Sequence, residues 1–250
     1  TQQQTDIPWP TLANTDWPMI KHDPQFTGRS SYKGPQTPTV LWTVDMPYGI
    51  FSGPVIGDDN NLYFGSYYSF ADNFYCYTKD GSFIWDYKIG RSKSPASGIL
   101  IDSNNTIYFG SSDNYFYALN SDGTFKWEIE TSEFFGPTLM NIDLHGNLYS
   151  TNNSGKLFSF NSSGGLNWNV TYEGGFNLKS PVLSTDGNTI YIAGKDSNLF
   201  ALNLDGSIKW KFECSRILTA PMVDSYDNVY FIDEQSLFSI YPNSDIRWEF

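Results

Sequence analysis

Histidine and cysteine are scarce in this sequence, which has two of each among its 250 residues. His22 and His145 lie far apart and no HExxH pair occurs, so the residues of a histidine-based zinc site are missing. Cys76 and Cys214 show no CxxC spacing, which favours two free, half-buried thiols over a disulfide or a metal site. GxSxG, GxGxxG and Walker sequences are also absent. The sequence therefore contains no recognisable catalytic constellation.

Basic residues and long apolar runs are few as well. The chain has 15 Lys and Arg against 27 Asp and Glu, and its net charge is −12. Nucleic-acid binding needs a basic surface that neutralises phosphates, so we expect no nucleic-acid partner. No apolar run has the length of a membrane span, so we expect no membrane insertion. The chain begins at Thr1 rather than Met, which is compatible with removal of an export signal.

Aromatic residues are abundant, and tryptophan recurs at a regular interval. Six tryptophans follow one another at spacings of 38–43 residues, a period typical of propellers or solenoids. A glycine precedes the tryptophan by four residues in four repeats, and Ser244 takes that place in the last one. The six repeat tryptophans are Trp42, Trp85, Trp127, Trp168, Trp210 and Trp248.

Each repeat contains four short apolar segments separated by Gly, Asn and Asp turns. In the second repeat these segments are "SGIL" (97–100), "TIYFGS" (106–111), "YFYAL" (115–119) and "FKWEI" (125–129). Four antiparallel strands in about 40 residues form one blade of a propeller. The predicted fold class is therefore all-β, a β-propeller of four-stranded antiparallel blades with five complete blades and one extra Trp strand.

The fourth segment of each repeat alternates between apolar and polar residues. In "FIWDY", Phe83, Trp85 and Tyr87 share one face and Asp86 lies on the other, which predicts one packed side and one wet side. We therefore expect the Trp-bearing strand to be the outermost strand of its blade, with the indole ring reaching the adjoining blade. The equivalent triplets are Phe125/Trp127/Ile129, Leu166/Trp168/Val170, Ile208/Trp210/Phe212 and Ile246/Trp248/Phe250.

The phrases "DGSFIWDY", "DGTFKWEI" and "DGSIKWKF", with "SP" or "AP" strands such as "KSPVL", resemble the PQQ-like β-propeller repeat. Quinoprotein dehydrogenases and the non-catalytic BamB-type envelope proteins carry this repeat, a relative in architecture of the WD40 and YVTN propellers. The resemblance implies that the repeat tryptophans dock between blades. Residues 17–42 also resemble the entry segment of secreted or surface-located members, which implies an extracellular, cell-surface or periplasmic location.

We predict two regions, an extended leader over residues 1–37 and the propeller over residues 38–250. Five complete repeats begin near Ser52, and one extra Trp strand, "TVLWTV" (39–44), precedes them. The chain is then a five-bladed ring with an extra strand, a piece of a larger propeller, or a ring whose sixth blade is completed from elsewhere. Because the sequence stops after a Trp strand, we favour the piece of a larger propeller. An open ring would leave faces available for self-association.

The resemblance to quinoproteins implies PQQ and Ca²⁺ as cofactors, but the matching residues are missing. The family commonly places two adjacent cysteines over PQQ, and this chain has none. Its turns "DDNN" (58–61), "DSNN" (102–105), "TDGN" (185–188) and "SYDN" (225–228) lack the alternating carboxylates of a Ca²⁺ loop. Hairpin turns that need a positive φ explain these Asx residues better. We therefore expect no cofactor, with PQQ and Ca²⁺ as the alternative.

The loops between one repeat and the next are predicted to surround the mouth of a central channel, where propellers commonly bind ligands. In this acidic chain those loops combine basic and aromatic side chains, which suit a protein or glycan ligand. The alternative is that the aromatic side chains plug the channel and the basic ones are merely solvated. The candidate ligand-binding residues are Tyr48, Phe51, Arg91, Lys93, Phe134, Phe176, Lys179 and Arg216.

These observations favour a non-catalytic binding or protein-interaction module of an exported or cell-surface protein. Two alternatives stay open. One is a quinoprotein-type oxidoreductase with an incomplete PQQ and Ca²⁺ site, and the other is a polysaccharide-binding or lyase propeller. The repeat itself is architectural and does not decide among them.

Overall fold

The protein is all-β in a computed structural model. The structure describes residues 7–30, 36–37, 39–46, 49–50, 52–67, 73–89, 98–131, 139–172, 175 and 180–250. These residues contain 21 strands and no helix, and so no helix long and apolar enough to cross a membrane.

The strands form five antiparallel sheets, one for each repeat, and every sheet contains a four-stranded blade. The first blade has an additional short strand, β1, that pairs with β3. Blade 1 comprises β1 (Gly49–Ile50), β2 (Val55–Ile56), β3 (Leu62–Tyr67), β4 (Asn73–Tyr77) and β5 (Phe83–Lys88). Blade 2 comprises β6 (Leu100–Ile101), β7 (Ile107–Gly110), β8 (Tyr115–Leu119) and β9 (Phe125–Glu130). Blade 3 comprises β10 (Asn141–Ile142), β11 (Leu148–Thr151), β12 (Leu157–Phe160) and β13 (Leu166–Val170). Blade 4 comprises β14 (Val182–Leu183), β15 (Ile190–Ala193), β16 (Asn198–Leu202) and β17 (Ile208–Glu213). Blade 5 comprises β18 (Met222–Val223), β19 (Val229–Ile232), β20 (Leu237–Ile240) and β21 (Ile246–Glu249).

The chain divides into two compact units. The two-blade unit consists of residues 12–22 and 28–137 and contains blades 1 and 2. The three-blade unit consists of residues 1–11, 23–27 and 138–250 and contains blades 3, 4 and 5. Leader residues therefore belong to both units.

The second and third strands of the blades are almost entirely buried, as expected for central strands covered on both faces. In the two-blade unit, the rings of Phe74 and Phe109 stack at 4.7 Å between blades 1 and 2. The same core includes Cys76, and Trp85 and Tyr87 pack against it. Burial of these apolar side chains is the main stabilising contribution to the contact between the two blades.

Both cysteines have free thiols, as the sequence predicts. Cys76 is fully buried and Cys214 half-buried, so the expected half-burial is wrong for Cys76, which lies on the central strand β4. Burial raises the pKa of each thiol to about 12. For Cys214 the negative charge of Asp233 acts in the same direction. Neither thiol is therefore activated as a nucleophile.

The glycine of the repeated phrase lies in the turn between the third and fourth strands. Gly81, Gly123, Gly164 and Gly206 all have φ between 83° and 88°, the left-handed region that favours glycine. Ser244 takes the same conformation in blade 5, with φ of 74°. The predicted turn function of the phrase is confirmed in all five blades.

The Asx-rich turns between the first and second strands are held by their own side chains. Asp143 is fully buried, and its carboxylate accepts hydrogen bonds from the backbone N–H groups of His145 and Asn147, both at 2.8 Å. The same carboxylate accepts the hydroxyl proton of Tyr149 at 2.8 Å. Asp102 with Tyr108, and Asp224 with Tyr230, repeat this arrangement. These carboxylates bind their own hairpins, as the turn interpretation predicts.

The predicted alternation of the fourth strand is correct for two of its three apolar positions. Trp85 and Tyr87 are half-buried and Asp86 is exposed, but Phe83 is itself 55% exposed. The cause is a β-bulge, because Trp85 pairs with Cys76 whereas Phe83 pairs with the next residue, Tyr77. The bulge turns the first apolar residue away from the packed face. The same bulge and the same exposure occur at Phe125, Leu166, Ile208 and Ile246.

Two expectations about short strands are also corrected. No strand is assigned to residues 39–46, so the extra strand predicted over 39–44 does not form a ladder. The innermost strands are two residues long, and that of blade 2 is Leu100–Ile101 rather than residues 97–100. The segment 39–46 nonetheless covers blade 1, since Met46 packs against Phe64, Tyr75 and Tyr77.

Candidate functional site

Of the eight predicted channel-mouth residues, Arg216 is the one that lies within the described part of the chain. It follows β17, and its guanidinium lies 3.8 Å from the carboxylate of Glu234. Both side chains are exposed, so this ion pair contributes little to stability. Seven predicted residues lie outside the described residues, namely Tyr48, Phe51, Arg91, Lys93, Phe134, Phe176 and Lys179.

Four repeat tryptophans are seen to donate a hydrogen bond to the turn of the next repeat. Each acceptor is the carbonyl oxygen two residues before the positive-φ residue of that turn. The indole ring also lies over the glycine, where an added Cβ would come within 2.8 Å of Trp42 at Gly81 and 2.6 Å of Trp85 at Gly123. The observed pairs are Trp42 to Lys79 (2.9 Å), Trp85 to Ser121 (3.0 Å), Trp168 to Leu204 (2.8 Å) and Trp210 to Pro242 (2.8 Å).

The other two repeat tryptophans are described by contacts within their own blades. Trp127 is half-buried, and its ring centroid lies 5.7 Å from that of Tyr108. Trp248 is 37% exposed and lies 5.9 Å from Tyr230. Every repeat tryptophan from Trp85 onward has this tyrosine on the second strand of its blade.

Leader residues lie along the innermost strands of the two-blade unit. The carbonyl oxygen of Trp17 accepts the N–H of Ile56 at 2.8 Å, and that of Pro18 accepts the N–H of Ile101 at 2.9 Å. The Thr15 hydroxyl donates to the Ile56 carbonyl oxygen at 2.7 Å. The backbone around Trp17 is therefore fixed on the innermost strands of blades 1 and 2.

The three-blade unit shows the same arrangement with other leader residues. Pro24 accepts the N–H of Leu183 on β14 at 3.1 Å, and Gln25 accepts that of Val223 on β18 at 3.2 Å. The indole of Trp9 donates to the Ile142 carbonyl oxygen on β10 at 2.8 Å. In both units, leader residues therefore lie along the edges of the innermost strands.

A cavity of about 540 Å³ remains between the leader and blade 1 in the two-blade unit. Its wall is mostly apolar, with charged side chains from the leader. Gly53 allows the leader to approach closely, since an added Cβ would lie 3.3 Å from Ile20. We call this cavity the leader pocket; it is lined by Asp16, Trp17, Ile20, Lys21, Ser30, Gly53, Pro54, Ile56 and Leu62.

The backbone that forms one wall of the leader pocket is strained. Lys21 and the following His22 have φ of 72° and 76°, a region that side-chain-bearing residues seldom adopt. The ring of His22 meets that of Trp17 edge-on at 5.2 Å. Such strain persists when surrounding contacts over-determine it, and it clusters at ligand sites. The pocket thus combines an indole wall, a carboxylate and an ammonium group on a fixed backbone.

Sequence reasoning also missed a buried polar cluster at the end of β11 in blade 3. Ser150 and Asn152 are fully buried, and within the described part of the chain neither Ser150 Oγ nor Asn152 Nδ2 has a hydrogen-bond partner. Asn153 Oδ1 is a third such atom. A signal for this cluster lies in the sequence, because "ST" (150–151) stands where the other blades have "FG", "IA" or "FI". The connection that follows blade 3 lies largely outside the described residues.

The described residues do not fit a Ca²⁺–PQQ centre. No group of three or more His, Cys, Asp or Glu within the described ranges could hold a metal ion. The carboxylates of the hairpin turns are already used by their own turns, as at Asp102 and Asp143. We therefore derive no chemical step through these cofactors.

Comparison of the sequence with known proteins does not show a family for this chain. No family model matches the chain. Protein Rv3035 of Mycobacterium tuberculosis is 59% identical over 34 residues, which are 13% of this chain and 8% of that protein. Such a short match does not show a family.

Solved structures with a similar fold are found over most of the chain. BamB of Moraxella catarrhalis matches with a TM-score of 0.62 and 18% identity, covering 82% of this chain and 61% of BamB. Quinohemoprotein alcohol dehydrogenase of Comamonas testosteroni gives a TM-score of 0.72 at 15% identity, covering 94% of this chain and 49% of the enzyme. Virginiamycin B lyase of Staphylococcus aureus gives 0.63 at 13% identity, covering 82% of this chain and 71% of the lyase. The chain thus spans about half to two thirds of the first two proteins. At these identities the likeness concerns the fold, and the chain has the PQQ-like β-propeller repeat fold.

Proposed function

We propose that the chain is a non-catalytic binding module of an exported or cell-surface protein, and that the leader pocket holds part of its ligand. The observation that carries this proposal is the pocket itself. It lies on a fixed backbone, has an apolar wall and carries an acidic and a basic side chain. Its volume falls within the range of about 300–1,000 Å³ typical of small-ligand sites.

The chemistry of the pocket favours an apolar side chain of a peptide or protein partner. Trp17, Ile20 and Leu62 offer apolar surface, whereas Asp16 and Lys21 offer one charge of each sign. Sugar sites need several polar groups to match the hydroxyls of the ring, and this wall is mainly apolar. A large apolar residue flanked by a basic and an acidic residue complements both features.

We expect a blocked Lys-Phe-Asp peptide to bind the leader pocket and to perturb the indole resonance of Trp17 in ¹H–¹⁵N spectra. Trp17→Ala should weaken binding by about tenfold or more, because it removes the aromatic wall. Lys21→Glu should also weaken binding while keeping the pocket shape. Trp248→Ala is the matched control, since it removes an exposed tryptophan of the three-blade unit and should leave the affinity unchanged.

Two results would contradict this assignment. In the first, the peptide binds with equal affinity to the parent chain and to both pocket variants. In the second, the peptide has no effect but oligosaccharides perturb Trp17, which would indicate a glycan-binding module. Thermal unfolding of each variant checks that a lost affinity does not reflect lost folding.

The non-catalytic part of the proposal has its own test. PQQ and Ca²⁺ added to the protein should produce neither the absorbance of bound cofactor nor dye-linked alcohol oxidation. Either signal would favour the oxidoreductase alternative. The exported location rests on the resemblance of residues 17–42 to the entry segment of secreted propellers, and cell fractionation should then find the protein outside the cytoplasm.

A further inference from the structure

Triplets of the form Asn-x-Ser or Asn-x-Thr, the acceptor motif for N-linked glycans in exported proteins, occur four times in the chain. A chain rich in Asn, Ser and Thr carries such triplets by chance, so the motif alone identifies no site. The structure separates the four, because a folded protein carries a glycan only where the asparagine side chain is open to solvent. The triplets begin at Asn104, Asn152, Asn161 and Asn169.

Three of the triplets contain a side chain that the fold already uses. Asn152 is fully buried, and its side-chain oxygen closes its own turn. Asn161 is half-buried, and its side-chain oxygen accepts two backbone N–H groups of its turn. Asn104 is exposed, but Thr106 of the same triplet is buried, and its hydroxyl oxygen accepts a hydrogen bond from the Lys126 ammonium group at 2.7 Å.

The triplet Asn169-Val170-Thr171 is open at both of its chemically important positions. Asn169 lies on β13, and both Asn169 and Thr171 are exposed, whereas Val170 between them is half-buried. Within the described part of the chain, the carboxamide of Asn169 has no hydrogen-bond partner. The other asparagine of β13, Asn167, donates to the Ser159 hydroxyl oxygen at 3.2 Å. A glycan on Asn169 would therefore project into solvent without breaking a contact of the fold.

The strand that carries Asn169 also lacks charge. β13 forms one edge of its sheet, and its residues are LNWNV. The corresponding strands β5, β9, β17 and β21 each carry at least two charged residues. Charged side chains on an edge strand hinder pairing with a strand of another chain, and blade 3 lacks this protection. The residues at the position of Asn169 in the other blades are Asp86, Glu128, Lys211 and Glu249.

We propose that Asn169 is an N-glycosylation site and that its glycan shields the uncharged edge of blade 3. A glycan is bulky and hydrophilic, so it takes the place of the charges on the other edge strands. The donor is a lipid-linked oligosaccharide diphosphate. A bond forms between Asn169 Nδ2 and the anomeric carbon of the oligosaccharide, and the bond from that carbon to the phosphate oxygen breaks. The lipid diphosphate leaves with the electron pair, and the amide proton passes to a base of the transferase.

This inference rests on the exported location in the proposed function, so its test supplies the export separately. The chain is secreted behind a removable signal peptide from cells that make lipid-linked oligosaccharides, and is then treated with peptide N-glycosidase in heavy-oxygen water. We expect mass spectrometry to find Asn169 converted to heavy-oxygen Asp in most secreted molecules. Asn169→Gln should abolish this label, and Asn104→Gln, the matched control, should leave it unchanged.

A secreted, folded chain without a glycan at Asn169 overturns the inference and leaves the proposed function intact. A cytoplasmic location of the protein in its own cells, measured by fractionation, contradicts the proposed function instead. Thermal unfolding checks that the secreted chain and its variants are folded.

Self-association in sedimentation experiments tests the shielding of β13. Enzymatic removal of the glycan, or Asn169→Gln, should raise the associated fraction by about threefold or more. Asn169→Lys should restore the parent behaviour without a glycan, because Lys211 occupies this position in blade 4. If removal of the glycan leaves self-association unchanged, or if the Lys variant associates as much as the Gln variant, the glycan does not shield this edge. If the glycosylated chain itself dimerises through β13, the edge is a docking strand and the shielding is wrong.

Discussion

Trp85→Ala should lower the free energy of unfolding of the two-blade unit by about 3–5 kcal/mol. The ring packs against Phe74 and Tyr63 of its own blade and lies over Gly123 of the next one. Its indole donates to the Ser121 carbonyl oxygen at 3.0 Å. Removing the side chain leaves a cavity between two blades, and the Ser121 carbonyl oxygen keeps only the longer hydrogen bond from the Tyr63 hydroxyl, at 3.5 Å. Chemical denaturation followed by circular dichroism measures the loss.

Gly123→Ala tests the same contact between Trp85 and the turn of blade 2, this time by changing the turn. An added Cβ would lie 2.6 Å from Trp85 Cδ2, and the backbone φ is 84°. We expect a loss of about 1–2 kcal/mol from the left-handed backbone alone, and a further loss from displacement of the ring. Gly146→Ala is the matched control, because Gly146 has φ of 81° and nothing within 4 Å of its added Cβ.

The double variant separates the two contributions. In the Trp85→Ala background, Gly123→Ala should cost no more than Gly146→Ala costs in the parent chain, because the ring that clashes is gone. If Gly123→Ala and Gly146→Ala cost the same in the parent chain, the indole does not rest on the turn. A loss below about 1 kcal/mol for Trp85→Ala would likewise contradict docking of the ring between blades.

The fold could be predicted from the sequence because its signals are local and recur. A turn that needs a positive φ favours Gly at one position, and the five copies of the phrase place that position identically, with Gly in four of them and Ser244 in the fifth. The blade then follows from four apolar segments joined by such turns. One repeat alone would have given a weak prediction, because each apolar segment is short enough to fit either a buried strand or part of a buried helix.

The bulge before each tryptophan was missed because alternation was counted as if the ladder were uninterrupted. The bulged residues are Ile84, Lys126, Asn167, Lys209 and Arg247. Four of them are polar, as residues on the solvent-facing side of a regular strand would also be, so the sequence does not distinguish the bulge from a regular strand. In the structure the ammonium groups of Lys126 and Lys209 reach back to the hydroxyls of Thr106 and Thr189, both at 2.7 Å. These contacts join residues about 20 positions apart, so no local sequence pattern predicts them.

The leader pocket could not be predicted because it depends on where the leader lies. The hydrogen bond from Thr15 to the Ile56 carbonyl oxygen, which fixes the leader beside this pocket, joins residues 41 positions apart. The composition of the leader predicts an irregular segment, but it does not predict that this segment lies along the innermost strands. Arg216, the described member of the predicted channel-mouth set, pairs with Glu234, a neighbour that the next blade supplies.

The stability of the protein should fall steeply at alkaline pH, because its blades hold buried tyrosines. Burial raises the pKa of Tyr63, Tyr108, Tyr149 and Tyr191 well above the usual value. Neighbouring carboxylates add to this effect, as Asp102 does at Tyr108 and Asp143 at Tyr149. The folded protein therefore keeps these protons at a pH where the unfolded chain has lost them.

The direction follows from proton counting. Above about pH 10 the unfolded chain binds fewer protons than the folded chain, so stability falls as pH rises. The contribution of each tyrosine is complete below about pH 10 and decreases by up to about 1.4 kcal/mol for each pH unit above it. The thiols of Cys76 and Cys214, with pKa values of about 12, begin to act in the same direction near pH 9. Four tyrosines together should unfold the protein near pH 11.

Thermal unfolding between about pH 8 and pH 11 measures this dependence, and tyrosinate absorbance reports ionisation at the same time. Tyr149→Phe should make the fall of stability with pH less steep above about pH 10, because one of the buried tyrosines no longer titrates. This change in slope is independent of any stability that the substitution costs at neutral pH. We expect tyrosinate from the buried side chains to appear together with loss of the strand signal. If instead it appears near pH 10 with the blades still folded, the rings are open to solvent, and the packing that joins Tyr149 to Trp168 and Asp143 is wrong.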